Sequence, residues 1–169
     1  MYSAEISRNN PGLIVFLVDR SGSMQDPIAG GQGTKADSVA AAINKLLQNL
    51  VIKCSKGDSI RDYFQVGVIG YGMRDIGVGS IFTGALAGKD IVSISEIAMS
   101  PARVESRTKK VSDGDGGLVD QTVQSPIWFE SEASGGTPMT AAFTYLKALL
   151  EPWVTAHQGA FPPIVIHIT

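Results

Sequence analysis

The alternation of apolar and polar positions divides the chain into strands and helices. Residues 13–18 form a continuous apolar run, which predicts a strand covered on both faces and therefore central in a parallel or mixed sheet. Thr34, with Asp37 three residues later, predicts a capping box at the start of a helix. The residues that then recur at helical spacing are Val39, Ile43, Leu46, Leu47 and Leu50. One face of this helix is expected to lie on the sheet.

The remaining regular pattern predicts three more elements. Residues 63–71 are rich in aromatic and β-branched side chains, which predicts a second strand, parallel to the first because a helical crossover joins them. Thr137 as the cap and Pro138 as the first residue predict the start of another helix, which Pro152 should end. Its buried stripe would consist of Met139, Phe143, Leu146, Leu149, Leu150 and Trp153. Residues 163–169 predict a final apolar strand.

The composition agrees with one domain of the α/β class. The chain has 169 residues, 44% of them hydrophobic, which is enough to bury a core, so residues 1–169 are interpreted as a single domain. The segment from about residue 73 to residue 133 has no clear periodicity and is interpreted as an irregular insertion.

Charge and cysteine content narrow the class of partner. A net charge of −2 lacks the basic excess that binding to a phosphate backbone requires, so no nucleic-acid partner is expected. The apolar runs are too short to span a bilayer and the N-terminus is polar, so neither a membrane partner nor a secretory signal is expected. The single cysteine, Cys54, cannot form an internal disulfide, which favours a reducing compartment such as the cytoplasm.

Candidate chemistry lies directly after the first strand. Asp19, Ser21 and Ser23 leave its carboxyl end, where open α/β sheets bind ligands, and their alternate spacing turns three oxygen-bearing side chains toward one point if the loop curls. Hard oxygen donors without a neighbouring cysteine or histidine suit Mg²⁺, Mn²⁺ or Ca²⁺ rather than zinc or copper. The alternative is that these side chains only cap and turn the loop.

Two short motifs resemble one known family. Asp19-Arg-Ser21-Gly-Ser23 matches the D-x-S-x-S signature of the von Willebrand factor A-type domain, and Ser134-Gly-Gly-Thr137-Pro is similar to its second element, a threonine in a later loop. The resemblance, closest to intracellular bacterial members, implies a Rossmann-like three-layer fold with a mostly parallel central sheet flanked by helices. It also implies a metal-ion-dependent adhesion site. There, Ser21, Ser23 and Thr137 would offer hydroxyls to Mg²⁺, while Asp19 would bind it mostly through water.

A third element of that family would follow the last strand. In the family, this element is an aspartate directly after the strand that follows the threonine. Here that strand is followed by Thr169, where the sequence ends, one residue before the expected aspartate. The resemblance therefore implies a fold that is incomplete on its C-terminal side, with residues 164–168 as an uncovered apolar edge. A fragment, or a chain completed by another polypeptide, would account for this edge.

The function that the resemblance implies is recognition without catalysis. Mg²⁺ held mostly by neutral hydroxyls is under-neutralised, so a glutamate or aspartate of a protein partner would complete its coordination. Arg20 and the loop at residues 25–33 are expected to line the rim. Membership of a multi-protein system is a further implication of the resemblance.

Two other classes of function stay open. A metal-dependent hydrolase would need a base for Ser21 or Ser23, and only His157 and His167 are available; His167 is more consistent with a hydrogen-bonded core histidine. A phosphatase that uses Asp19 as nucleophile would need a second acid where Ser21 stands. A structural subunit of a larger complex would bind its partners without any cation.

Overall fold

The computed structural model describes residues 4–28, 33–73, 77–112, 114 and 117–169. Within these residues the strands and α-helices follow in the order β1 Gly12–Asp19, α1 Lys35–Cys54, β2 Ser55–Lys56, β3 Ser59–Ile60, β4 Phe64–Met73, β5 Gly77–Ser80, β6 Val92–Ser93, α2 Ile94–Met99, β7 Arg103–Ser112, β8 Leu118–Ile127, α3 Met139–Ala156 and β9 Ile164–Ile168. Two 3-10 turns lie at Gly22–Gln25 and Gly84–Leu86. The chain is therefore a mixed α/β protein, as its pattern predicts.

The main sheet is mixed. Its strand order is β5-β4-β1-β9, with β6 beside β4. β1 pairs in parallel with β4 and with β9, which confirms the parallel unit, but β5 and β6 run antiparallel to β4. The expectation of a mostly parallel sheet is thus wrong. The reason lies in the connection: only residues 74–76 separate β4 from β5, whereas a parallel neighbour needs a crossover of a dozen or more residues.

β1 is the central strand and is buried on both faces. Phe16 and Val18 belong to an apolar layer that includes residues of α1 and α2, whereas Leu13, Val15 and Leu17 belong to a second layer with residues of α3. The prediction that the continuous apolar run forms a strand covered on both faces is therefore confirmed. Burial on both faces fixes the position at which the polar residues after β1 leave the sheet.

β9 lies at an edge of the main sheet. Among the described strands it pairs with β1 alone, and Ile164, Val165 and Ile166 are 57%, 37% and 39% exposed. The apolar edge that the sequence predicts is therefore present in the described part of the chain.

The start of α1 is the capping box that the sequence predicts. The Thr34 hydroxyl accepts a hydrogen bond from the Asp37 amide at 3.1 Å, and the Asp37 carboxylate accepts one from the Thr34 amide at 2.9 Å. Ser131 also donates to this carboxylate at 2.6 Å. The hydrogen bond from Ser131, together with those from Thr34, holds the pKa of Asp37 below its usual value.

α3 differs from its predicted form at both ends. Pro138 is its cap and Met139 its first residue, so the prediction that Thr137 caps the helix is wrong; Pro138, with ψ of 62°, is not helical. The helix also continues past Pro152 to Ala156. Trp153 makes this continuation favourable, because its indole is buried and donates to the side chain of Gln65 at 2.6 Å.

The buried stripe of α3 is also narrower than predicted. Leu146 and Trp153 are buried, Leu149 and Leu150 are partly buried, but Met139 and Phe143 are 40% and 46% exposed. The predicted stripe is therefore only partly correct.

The segment from about residue 73 to residue 133 contains regular structure. It includes β5, β6, α2 and an antiparallel pair, β7 with β8, in which ten residues of each strand face one another. Asn44 of α1 fixes the base of this pair, because its side chain donates to the Phe129 carbonyl at 3.0 Å and accepts from the Trp128 amide at 2.8 Å. The side chain of Gln48, one turn later, donates to the Gln124 carbonyl at 3.0 Å.

Replacement of Asn44 by alanine is expected to destabilise the protein by about 2–6 kcal/mol, because two buried backbone groups lose their partner at about 1–3 kcal/mol each. Gln48→Ala is the matched control, since Gln48 also binds a carbonyl of the β7–β8 pair but is only partly buried. We expect that control to cost less than about 1 kcal/mol. Urea unfolding followed by circular dichroism measures both. Equal losses in the two variants would contradict a special role for Asn44.

None of the helices in the described ranges combines the length and the apolar character needed to cross a membrane.

Candidate metal-binding site

Asp19 is the last residue of β1 and is almost fully buried, with 4% of its surface exposed. Its Oδ1 accepts a hydrogen bond from the Ser21 amide at 2.8 Å, and its Oδ2 accepts one from the Thr169 hydroxyl at 3.2 Å. The two parallel neighbours of β1 explain this position, because they bring Tyr71 and Thr169 to the same end of the sheet as Asp19. The carboxylate is therefore held in one orientation.

In the described part of the chain, no ion pair neutralises the charge of Asp19. The neighbouring Arg20 pairs with Glu132 at 2.7 Å. A buried carboxylate that is only hydrogen-bonded costs free energy, because burial removes the water that would otherwise solvate its charge. A cation bound beside Asp19 would offset this cost.

The two serines of the first motif meet beside Asp19. The 3-10 turn Gly22–Gln25 curls the loop, and the hydroxyls of Ser21 and Ser23 are 3.1 Å apart. Ser21 is buried, whereas Ser23 is exposed. Burial of Met24 in the same turn holds this curl in place. The structure therefore brings together Asp19, Ser21 and Ser23. The Ser21 amide donates to the Asp19 carboxylate, and the Ser21 hydroxyl is hydrogen-bonded to the Ser23 hydroxyl.

The second motif lies against the first. The Ser134 amide donates to the Arg20 carbonyl at 2.9 Å, and the Gly22 amide donates to the Gly135 carbonyl at 2.8 Å. Ser21 and Gly135 thereby form an isolated parallel bridge. Thr137 follows two residues later and is exposed, and no hydrogen bond joins its hydroxyl to the serines in the described residues. The loop is thus in contact with the first motif through its backbone.

The donors in this cluster are one carboxylate and several hydroxyls. The Ser134 hydroxyl is buried and has no hydrogen-bond partner among the described residues. A buried hydroxyl without a partner is costly, so this loop has unused capacity for a polar ligand. In the described ranges, no group of three or more His, Cys, Asp or Glu is placed to hold a metal ion. Carboxylate and hydroxyl oxygens are hard donors, the kind of ligand that Mg²⁺ and Ca²⁺ take.

Gly72 is a site residue that the sequence reasoning missed. Its φ is +88°, and a Cβ at this position would lie 2.5 Å from the Gly136 carbonyl oxygen and 2.9 Å from the Ser21 nitrogen. Only glycine lets the end of β4 contact both motif loops at once. The sequence signal was the pair of glycines that flank Tyr71 inside an otherwise apolar strand.

Tyr71 and His167 form the floor beneath Asp19. Tyr71 is fully buried, its hydroxyl is 2.7 Å from His167 Nε2, and it also interacts with the side chains of Asp19 and Thr169. Burial, and then the negative charge of Asp19, raises the pKa of Tyr71. His167 is hydrogen-bonded, as predicted, although it is half-buried at the sheet edge rather than in the core.

Arg20 does not line a rim. It is 7% exposed, so the expectation that it lines the rim is wrong. Burial lowers the pKa of Arg20, and the negative charge of Glu132 opposes that shift. Of the loop at residues 25–33, which was also expected at the rim, residues 29–32 lie outside the described ranges, and residues 25–28 are exposed.

The fold and these contacts define a mixed α/β protein with an oxygen-rich cluster at the carboxyl end of its central strand. Comparisons of the chain with protein-family models, with curated proteins and with solved structures give no match.

Proposed function

We propose that this chain is a von Willebrand factor A-type domain that binds a partner protein through Mg²⁺. Asp19, Ser21, Ser23 and Thr137 are its proposed metal ligands, and the two motifs that carry them are in contact through the Ser21 to Gly135 bridge. A Rossmann-like three-layer arrangement belongs to the same proposal. It is supported by the two apolar layers that cover opposite faces of β1.

The observation that carries the proposal is the charge of Asp19. Its carboxylate is 4% exposed, lacks an ion pair in the described residues, and accepts from the amide of Ser21, whose hydroxyl is 3.1 Å from that of Ser23. Such a group is expensive in an apolar sheet unless a cation neutralises it. Hydroxyl and carboxylate oxygens are the ligands that Mg²⁺ prefers, and Mn²⁺ or Ca²⁺ can take the same donors.

The chemistry of the proposed site is recognition of a carboxylate. A bound Mg²⁺ would supply positive charge and at least one coordination position for a glutamate or aspartate of the partner. The serine and threonine hydroxyls of this chain are neutral, so they leave much of that charge for the partner to balance. Asp19 is held by Ser21 and Thr169 and would orient the donors around it.

The positions of the histidines support recognition rather than hydrolysis. His157 stacks on Trp153 with ring centroids 4.3 Å apart, and its Nδ1 lies 2.8 Å from the Trp153 carbonyl. His167 bonds to Tyr71. Neither contact makes a base available to Ser21 or Ser23, so no observation favours the hydrolase alternative. We further propose that the protein acts in the cytoplasm as part of a multi-protein system; its one cysteine, Cys54, is free and buried.

The proposal is tested with Mn²⁺ as the probe ion and acetate as the probe carboxylate. Water-proton relaxation is expected to reveal one saturable Mn²⁺ site that keeps exchangeable water, and acetate should lower the relaxation enhancement by displacing that water. Acetamide is the neutral control and should have no effect. Absence of saturable binding below about 1 mM Mn²⁺ would overturn the metal site. Binding that ignores acetate would overturn carboxylate recognition.

Thr137→Val is expected to weaken Mn²⁺ binding by about tenfold or more, since the loss of one polar contact to a charge costs about 1.5–3 kcal/mol. Valine keeps the shape of threonine and removes the hydroxyl. Thr140→Val is the matched control, because Thr140 is an exposed threonine in the first turn of α3. The same relaxation titration compares the two variants. If Thr137→Val binds as well as Thr140→Val, Thr137 is not a ligand.

A further inference from the structure

We infer that Arg20 is a positioning residue that holds the two motifs of the proposed metal site in register. The inference rests on the proposed function. It concerns the residue between Asp19 and Ser21, which touches no metal itself and acts through the loop that carries the second motif.

The guanidinium of Arg20 is hydrogen-bonded to the loop after β8 at several points. Nη2 donates to the Glu132 carboxylate at 2.7 Å and to the Glu130 carbonyl at 3.3 Å, while Nε donates to the Glu132 carbonyl at 3.4 Å. Its backbone completes the contact, because the Arg20 carbonyl accepts from the Ser134 amide at 2.9 Å. One residue of the first motif therefore binds residues 130, 132 and 134 of the loop.

The chemistry of arginine explains why this residue can hold a loop. A guanidinium offers five donors in a rigid plane, so it can satisfy several carbonyl oxygens at fixed angles, whereas lysine offers a single point charge. Arg20 is 7% exposed, so its guanidinium relies on these oxygens rather than on water for hydrogen bonds. Loss of the guanidinium would remove three hydrogen bonds that join the first motif to residues 130 and 132 of the loop.

The loop is held from the first motif at a second point. Gln25, at the end of the 3-10 turn, donates from its side-chain amide to the Ala133 carbonyl. Arg20 and Gln25 thus bracket the serines in sequence. Gln25 binds residue 133, and Arg20 binds residues 132 and 134 on either side of it. Because Thr137 follows this segment by only three residues, its distance from Ser21 and Ser23 depends on these contacts. A proposed ligand held in place before the ion binds costs less ordering entropy on binding.

The experiment compares Arg20→Gln and Arg20→Lys with Glu132→Gln and with Lys35→Gln. Glu132→Gln removes the ion pair but keeps the carbonyl that Arg20 binds, and Lys35→Gln removes an exposed ion pair to Asp26. Mn²⁺ affinity is measured by water-proton relaxation. Amide hydrogen exchange of residues 130–137 and of β4 is measured separately in EDTA.

Arg20→Gln is expected to weaken Mn²⁺ binding by about 10–100-fold, the usual cost of losing a group that orients metal ligands, with Arg20→Lys intermediate. Exchange of residues 130–137 should rise in EDTA while β4 keeps its protection. Glu132→Gln and Lys35→Gln should lose less than about threefold in Mn²⁺ affinity, because Arg20 still donates to the carbonyls of residues 130 and 132.

Three outcomes would overturn the inference. One is unchanged exchange of residues 130–137 in both Arg20 variants. Another is faster exchange throughout β4 in the Arg20 variants while their folded fraction keeps normal Mn²⁺ affinity, which would show that Arg20 stabilises the whole fold rather than the site. A third is a loss in Lys35→Gln equal to that in Arg20→Lys. If the wild type binds no Mn²⁺, the proposed function fails, yet the exchange comparison still reports on the loop contact by itself.

Discussion

Replacement of Asp19 by asparagine is expected to abolish measurable Mg²⁺ binding and to leave the chain folded. Asparagine has nearly the same shape, and its carbonyl oxygen can still accept from the Ser21 amide as Asp19 Oδ1 does at 2.8 Å. The negative charge is lost, and so is the oxygen that accepts from the Thr169 hydroxyl, because the amide nitrogen of asparagine only donates. Removal of one partner of a buried charge pair costs about 3–5 kcal/mol, which is at least a hundredfold in affinity.

The sign of the effect on stability depends on the ion. In EDTA the Asp19→Asn variant should be as stable as the wild type or more stable, because a buried carboxylate without an ion pair has been neutralised. With Mg²⁺ the wild type should gain stability in proportion to the logarithm of the ion concentration, whereas the variant should not.

Urea unfolding with and without Mg²⁺, together with titration calorimetry, measures both effects. Asp26→Asn is the matched control, since Asp26 is an exposed acid of the same loop that pairs with Lys35 at 3.0 Å. That control should retain the response to Mg²⁺. An Asp19→Asn variant that Mg²⁺ still stabilises would show that Asp19 is not the negative group of the site.

Replacement of Gly72 by alanine is expected to cost about 2–6 kcal/mol of stability. Its φ of +88° is unfavourable for any side chain, at about 1–3 kcal/mol, and the new Cβ would lie 2.5 Å from the Gly136 carbonyl oxygen. Overpacking of this kind adds about 1–3 kcal/mol, and the contact atoms here are backbone, which cannot rotate away. The two motif loops would have to move away from β4.

Gly57→Ala separates the two causes. Gly57 also has a positive φ, +59°, but nothing lies within 4 Å of the Cβ that alanine would add. Only the backbone part of the cost, about 1–2 kcal/mol, is expected there. Thermal unfolding and Mn²⁺ affinity of both variants test the comparison, and Gly72→Ala alone should lose affinity. A Gly72→Ala protein no less stable than Gly57→Ala would contradict the close approach of the loops.

The local pattern of the sequence was sufficient where neighbours in the chain decide the structure. The capping box of Thr34 and Asp37 depends on residues three apart, and it forms as predicted. The central position of β1 follows from an apolar run that only a strand with two covered faces can bury. The convergence of Asp19, Ser21 and Ser23 likewise needs only a curled loop of five residues.

Prediction failed where distant contacts decide. α3 continues past Pro152 because the Trp153 indole donates to Gln65 in β4. The antiparallel β5 is a local exception, since it results from a short connection whose length the pattern did not reveal. Arg20 looked like a surface arginine, since its partners at residues 130 and 132 are more than a hundred positions away in the sequence. Neither periodicity nor motif spacing carries such information.

The parallel register of three strands has a consequence for any attempt to move this cluster to another protein. Asp19 ends β1, Tyr71 faces it from β4, and Thr169 follows β9, so the groups that orient one carboxylate come from three distant parts of the chain. A synthetic peptide of residues 19–23 would keep the serines and the Ser21 amide, but it would lose Tyr71 and Thr169, which orient Asp19 within the sheet. Grafting the motif would therefore require grafting the sheet.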